Sequence, residues 1–416
     1  MYLPCAKMEY DGFTLDDTDA DVGPLLGIIV CHNLKWSLDD REGNISTTPS
    51  LKLLLRAAAE DRTDLLLGDF HPAQVRWAVD SGLGPLLRHV TSRDPRARET
   101  PLWPLIESAD LTARVMTSER LGAVDEMIRV CAGRTKPFTL LKGISICEQF
   151  YPMPHLRPMG DIDVLTEPDD AAIVEACLLE LGYRRTSSYP PEFYQTHHHL
   201  IPLFHGRTQV WVEIHRGLFP DNSRLGSERA FSFANVAAER RQSTLRNCPV
   251  NRLSDELQVL YIAAHWAFGL RRVGGIVGML DLIYLFARRT HALRWERIFE
   301  WLDGSLATTY VYVLLSYLSR YRLIALTPQV LRELFARQRS FGRTNLMVLH
   351  TLLDRYVTEG REFGALVSER NFALLWRGLE RPGSPLGNVR RALWSLRPSR
   401  AWLSRSLSQT DYTPPT

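Results

Sequence analysis

The spacing of apolar residues changes period twice along this 416-residue chain, and that change limits the folds open to it. Leu51, Leu54, Leu55 and Ala58 recur at three and four residues, and Val75 to Val79, Leu86 to Val90 and Leu121 to Val130 continue the pattern. Such spacing places one apolar stripe on each of several helices. Between Phe138 and Leu218 the texture becomes short β-branched or apolar runs alternating with helical ones. After about Leu253 the helical period returns, first through Leu257, Leu260, Tyr261, Ala264 and His265. It continues through Val277 to Phe286, Trp295 to Leu302, Tyr310 to Tyr321 and Gln329 to Ala336. Strands and helices bury different periodicities, so the expected class is α+β: a small mixed sheet flanked by N-terminal helices and a C-terminal helical bundle. The expected division is an acidic leader over 1–48, a helical region over 49–134, a sheet-bearing core over 135–220 and a helical domain over 221–416.

Within the core segment, Phe138-Thr-Leu-Leu141 reads as a buried strand, followed by Lys142-Gly143 and a helix towards Tyr151. Asp161-Ile-Asp-Val-Leu165 is a second strand. Thr166 and Pro168 open a helix whose first turn carries Glu167, Asp169 and Asp170 at its positive end, and Gly182 closes it. Tyr183 to Ser187 is a further strand candidate. His197 to Phe204 and Thr208 to His215 suggest a hairpin joined by His205-Gly206-Arg207.

Composition narrows the function classes. A net charge of +3 asks for neither nucleic acid nor an anionic membrane as partner. Lysine occurs only at Lys7, Lys35, Lys52, Lys136 and Lys142, the remaining bases being arginine, as in a GC-rich bacterial coding sequence. A lysine inside a motif therefore stands out. The cysteines Cys5, Cys31, Cys131, Cys147, Cys177 and Cys248 form no CxxC pair, which suits a reducing compartment. The acidic N-terminus lacks the features of a signal peptide, and the apolar stretches are too short or interrupted to span a bilayer, so a cytoplasmic protein is expected. Asn388 to Ser408, with Arg390, Arg391, Arg397, Arg400 and Arg405 beside Trp394 and Trp402, reads as a surface helix with a frayed end.

The residues that suggest chemistry lie in the two strands. Asp161 and Asp163 flank Ile162, and alternation along a strand puts both carboxylates on one face. Two such charges held together call for a hard divalent cation, Mg²⁺ or Mn²⁺. In Thr208-Gln-Val-Trp-Val-Glu-Ile-His215, Trp211, Glu213 and His215 share a face. If that strand lies beside the first, Glu213 completes a trio able to hold two cations about 3.5–4 Å apart, as in-line phosphoryl displacement requires. Lys142, Gly143 and Ser145 lie where a strand enters a helix, a place for phosphate oxygens. Arg157 can add a bidentate fork, and His215 can orient a phosphate or simply pack. Adjacent histidines on a strand face opposite ways, so of His197, His198 and His199 only the outer two could share an ion, and no zinc site is expected. His265, Asp281, Arg271 and Arg272 can serve the site or only the helices that carry them.

Leu141-Lys142-Gly143, Tyr151-Pro152, Arg157-Pro-Met-Gly-Asp161-Ile-Asp163-Val-Leu165, Leu181-Gly182-Tyr183 and Val212-Glu213-Ile214-His215 together resemble an uncharacterised bacterial nucleotidyltransferase family of the polymerase-β-like superfamily. The resemblance is close over residues 140–216. It departs from the wider superfamily in having Lys142-Gly143 where a Gly-Ser pair is usual. It implies metal ligation by Asp161, Asp163 and Glu213, with Lys142, Gly143 and Arg157 at a nucleoside triphosphate, ATP being the expected one. The acceptor would be a small molecule, a peptide or a protein. Two other readings stay open: a non-catalytic nucleotide-binding regulator on the same fold, and an RNA-directed transferase, which would need an extended basic surface.

Overall fold

The computed structural model describes residues 51–187, 189–269, 275–289 and 292–338, together with His350 and Leu353. The leader over 1–48, Arg271, Arg272 and the arginine-rich stretch over 388–408 lie outside the described residues.

Among the described residues, four helices precede the sheet: α1 (Leu51–Ala59), α2 (Pro72–Asp80), α3 (Gly84–Val90) and α4 (Trp103–Cys131). Helix α2 starts where its sequence says it should. The His71 side chain accepts from the Ala73 amide, the Gln74 side chain accepts from the His71 amide, and Pro72 takes the first position, where no donor is needed. Helix α4 runs 29 residues, well beyond the stretch that its periodicity marks, because Leu111 and Val115 in its first half face solvent and blur the apolar stripe.

The sheet has seven strands: β1 (Thr139–Leu140), β2 (Ile162–Leu165), β3 (Arg184–Arg185), β4 (Leu203–His205), β5 (Val210–His215), β6 (Arg240–Leu245) and β7 (Cys248–Leu253). Their order is β3-β4-β5-β2-β1-β7-β6, with β2 parallel to β5, β1 parallel to β7 and the remaining pairs antiparallel. The sheet therefore extends beyond residue 220 through the β6–β7 hairpin, which the apolar pattern does not announce. The mixed sheet and its flanking helices are the expected α+β architecture.

Helix α5 (Lys142–Phe150) follows β1, and α6 (Ala171–Glu180) follows β2. The inner strands are apolar on one face, where Ile162, Val164, Val212 and Ile214 pack with Val124 and Met127 of α4 and Val174 and Cys177 of α6. Each such side chain contributes roughly 1.5–3 kcal/mol on burial, and a one-residue slip of either strand would turn its polar set into this core. Register is thereby fixed. After α7 (Phe233–Ala238) come α8 (Asp255–Gly269), α9 (Gly275–Arg289), α10 (Trp295–Leu302), α11 (Ala307–Arg320) and α12 (Pro328–Arg337). Their apolar faces merge with α1, α2 and α3 in a second core that includes Leu54, Leu86, Leu260, Ile283 and Leu314. Among the described residues no helix is long and apolar enough to cross a membrane.

Candidate active site

Parallel pairing of β2 with β5 sets Asp163 directly beside Glu213 and Leu165 beside His215. Strand alternation then leaves Asp163, Glu213 and His215 on the face opposite the Ile162–Val164 core. One ligand atom from each of the three lies within 4.8 Å of the others. The Lys142 ammonium sits 2.7 Å from Asp163 Oδ1 and 3.9 Å from Glu213 Oε2. His215 Nε2 lies 2.8 Å from the same Asp163 oxygen and 3.4 Å from Glu213 Oε2.

Backbone geometry delivers the lysine. The Leu141 amide donates to the Asp163 carbonyl at 3.0 Å, locking the end of β1 to β2. Lys142 then turns through a φ of +45°, a region sparsely populated by residues with a side chain, as it starts α5. Such strain, on the order of 1–3 kcal/mol, persists where surrounding structure enforces it, and functional sites are where it collects.

The charges are unevenly held. Burial by itself would raise the Asp163 pKa, but the Lys142 ammonium and the His215 hydrogen bond outweigh it and keep the carboxyl well below its usual range. Asp161, one residue before β2, is pushed the other way, chiefly by the Asp163 charge and then by burial. Burial opposes the Glu213 charge too, yet the His215 hydrogen bond leaves its pKa lowered. Lys142 keeps its proton despite burial because Asp163, Asp161 and Glu213 surround it. Burial would lower the His215 pKa, but its hydrogen bonds to Asp163 and Glu213 outweigh that and raise it. Asp163, Glu213 and His215, with Asp161 adjacent in the chain, are the residues here that could hold a divalent cation.

The other residues that the sequence marks as candidates are placed differently. A Cβ on Gly143 would run into Arg157 Nη1 and would meet Met159 Cγ at 2.6 Å, so this glycine makes room for the Arg157 segment. The Arg157 fork engages Asp281 of α9 at 2.8 and 3.2 Å and donates to the Pro158 carbonyl at 2.7 Å, which commits three of its five N–H groups. Tyr151 Oη donates to Asp281 at 2.7 Å. Ser145 is buried; its carbonyl accepts from Arg252, and Gln149 Nε2 lies 3.2 Å from its hydroxyl.

Two groups of α8 also face this charge cluster. The Tyr261 hydroxyl is buried without a hydrogen-bond partner, and its pKa is raised by burial. Burial, aided by the Lys142 charge, lowers that of His265 to about 3. The sequence marks Tyr261 only as part of an apolar helix face, so nothing in the pattern singles it out. His197, His198 and His199 do not lie on a strand as expected. They occupy bends and an isolated bridge, His199 against His215, ahead of β4.

No curated protein and no solved structure matches the chain. A family model described as uncharacterised nucleotidyltransferase matches residues 72–322, a span that takes in the entire sheet, Lys142, the three acids and helices α2 to α11. On that match, and with a mixed sheet carrying Asp163 and Glu213 on its polar face, the chain belongs to the uncharacterised nucleotidyltransferase family.

Proposed function

We propose that the protein transfers a nucleoside monophosphate from an NTP, ATP in the first instance, to a hydroxyl-type acceptor on a small molecule, peptide or protein, with Mg²⁺ or Mn²⁺ as cofactor. The observation that carries this reading is the in-register pairing of Asp163 with Glu213 on adjacent parallel strands, with Lys142 and His215 at hydrogen-bond distance of Asp163.

Each residue has a definable task. Asp163 and Glu213, aided by Asp161, create the negative pocket in which a divalent cation would be held. When bound, that cation supplies charge neutralisation at the phosphates and acidifies an acceptor hydroxyl. Lys142 keeps its proton and so remains a fixed cation against which phosphate oxygens can be drawn. His215 donates from Nε2 to Asp163 and holds that carboxylate in one orientation. Arg157 is a positioning residue, since its pair with Asp281 ties the segment before β2 to α9.

The test is incubation with each α-labelled triphosphate, Mg²⁺ and host lysate, with wild type compared against Asp161→Ala/Asp163→Ala. The expected result is label transfer from one triphosphate that falls by at least about 10²-fold in the double variant, the scale of losing a principal electrostatic stabiliser. Transfer indifferent to the double substitution would overturn the assignment.

A further inference from the structure

His197, His198 and His199 form a second cluster, on a segment pinned to the end of β5. The Arg216 amide donates to the His198 carbonyl at 2.7 Å, and the Leu200 amide donates to the Ile214 carbonyl at 2.9 Å. The Arg216 guanidinium reaches the carbonyls of both Tyr194 and His197, the latter at 2.9 Å. Backbone on both sides of the histidine run is therefore anchored.

Three consecutive side chains in a strand could not converge, but His197 and His198 are in bends ahead of the His199 bridge, and the three rings lie together with centroids 4.2, 4.2 and 4.9 Å apart. Each ring offers one nitrogen within 4.8 Å of those of the other two. The tautomer of His199 is set by its surroundings: Nδ1 lies 2.7 Å from the Leu200 carbonyl, which can only accept, so Nδ1 carries the hydrogen and Nε2 presents a lone pair. A backbone carbonyl fixing one ring nitrogen while the other is free is the usual support of a metal-ligating histidine. His197 Nδ1 and His198 Nδ1 are buried and have no hydrogen-bond partner. Buried polar nitrogens are rarely left so, because each forfeits its hydration without return. The Phe193 and Tyr194 rings pack against His197, with centroids 4.9 and 5.9 Å away.

We infer that His197, His198 and His199 form a binding site for a borderline transition-metal cation such as Zn²⁺, separate from the acidic cluster of Asp163 and Glu213. Imidazole nitrogens suit such ions and suit Mg²⁺ poorly, so the two sites select by donor type. Glu213 Oε2, 3.8 Å from His199 Nε2, lies between the two clusters, so an ion on the histidines would add positive charge at the edge of the catalytic face.

The test uses the untagged full chain, stripped with chelator and titrated with Co²⁺ alone. Wild type should give one equivalent of tight binding with the intense visible absorption of a four- or five-coordinate nitrogen site. His197→Asn, His198→Asn and His199→Asn should each weaken it by at least the roughly tenfold that loss of even an outer-shell partner causes. Asp163→Asn should leave the spectrum unchanged. Because a histidine variant can fail to fold, X-ray absorption at the zinc edge of the reconstituted wild type gives an independent count, expected at three imidazoles. Fewer than three, a weak six-coordinate Co²⁺ spectrum, or a signal lost in Asp163→Asn but kept in the histidine variants would overturn the site.

Discussion

Gly143 is conspicuous in the sequence, and the fold gives its missing side chain a packing task. In the sequence it looks like space for a phosphate; in the fold its missing side chain accommodates Arg157 Nη1 and Met159. An arginine terminus can often swing aside, but this one is held by Asp281 and the Pro158 carbonyl. Gly143→Ala should therefore destabilise the protein by about 1–3 kcal/mol, the cost of overpacking a fixed interior. Urea denaturation checks it, and a change within about 0.5 kcal/mol, the scatter of neutral surface substitutions, would mean that the arginine yields. Lys142 is the converse case. In a chain that otherwise prefers arginine, a lysine before a glycine is conspicuous, and it touches Asp163 at 2.7 Å; its left-handed φ has no sequence signature.

At the scale of elements, strands with one apolar and one polar face are legible. Asp161–Leu165 and Thr208–His215 alternate cleanly, and β2 and β5 fall within them. The pairing of Asp163 with Glu213 depends on two strands lying side by side, which no single run of residues encodes. The β6–β7 hairpin is hidden for local reasons. Its strands carry Arg240, Arg241 and Gln242 and then Pro249, and proline argues against a strand. Its turn places Arg246 and Asn247 at φ of +46° and +69°, a two-residue geometry for which Asn-Gly is the usual signal. The histidine run departs from strand alternation because its backbone bends, and no glycine or proline within it marks the bend. Arg157 with Asp281 is a largely buried contact between elements, with Tyr151 as third member. Removing one partner strands the other charge, so Arg157→Met should cost about 3–5 kcal/mol. In Arg157→Met/Asp281→Asn much of that loss should return, and a double-mutant cycle in denaturant measures the coupling. Strictly additive losses would show that the pair does not connect the segment before β2 to α9.

For the whole molecule, burial of neutral histidines makes stability depend on pH in a direction that can be worked out. His89, His155 and His265 all have pKa values lowered chiefly by burial, that of His265 to about 3. Unfolded, each would titrate near 6.5. Below that pH the unfolded chain binds protons that the folded chain refuses, so the stabilisation is complete above about 6.5 and is lost as pH falls towards the folded value. The groups acting on His265 are Lys142, Arg157 and His215, which oppose its protonation, and Asp163, which favours it; the Tyr261 ring packs 5.9 Å away. The net direction follows from burial being the largest influence. Replacing the imidazole by an amide that does not titrate removes one such proton, worth about 1.4 kcal/mol per pH unit. His265→Gln should therefore be less stable than wild type at neutral pH, with the gap closing between pH 6.5 and 5 at about that slope. Denaturant midpoints of both proteins across this range provide the measurement. A gap that stays constant would mean that His265 protonates as readily in the folded chain as in the unfolded one, and that α8 leaves it open to water.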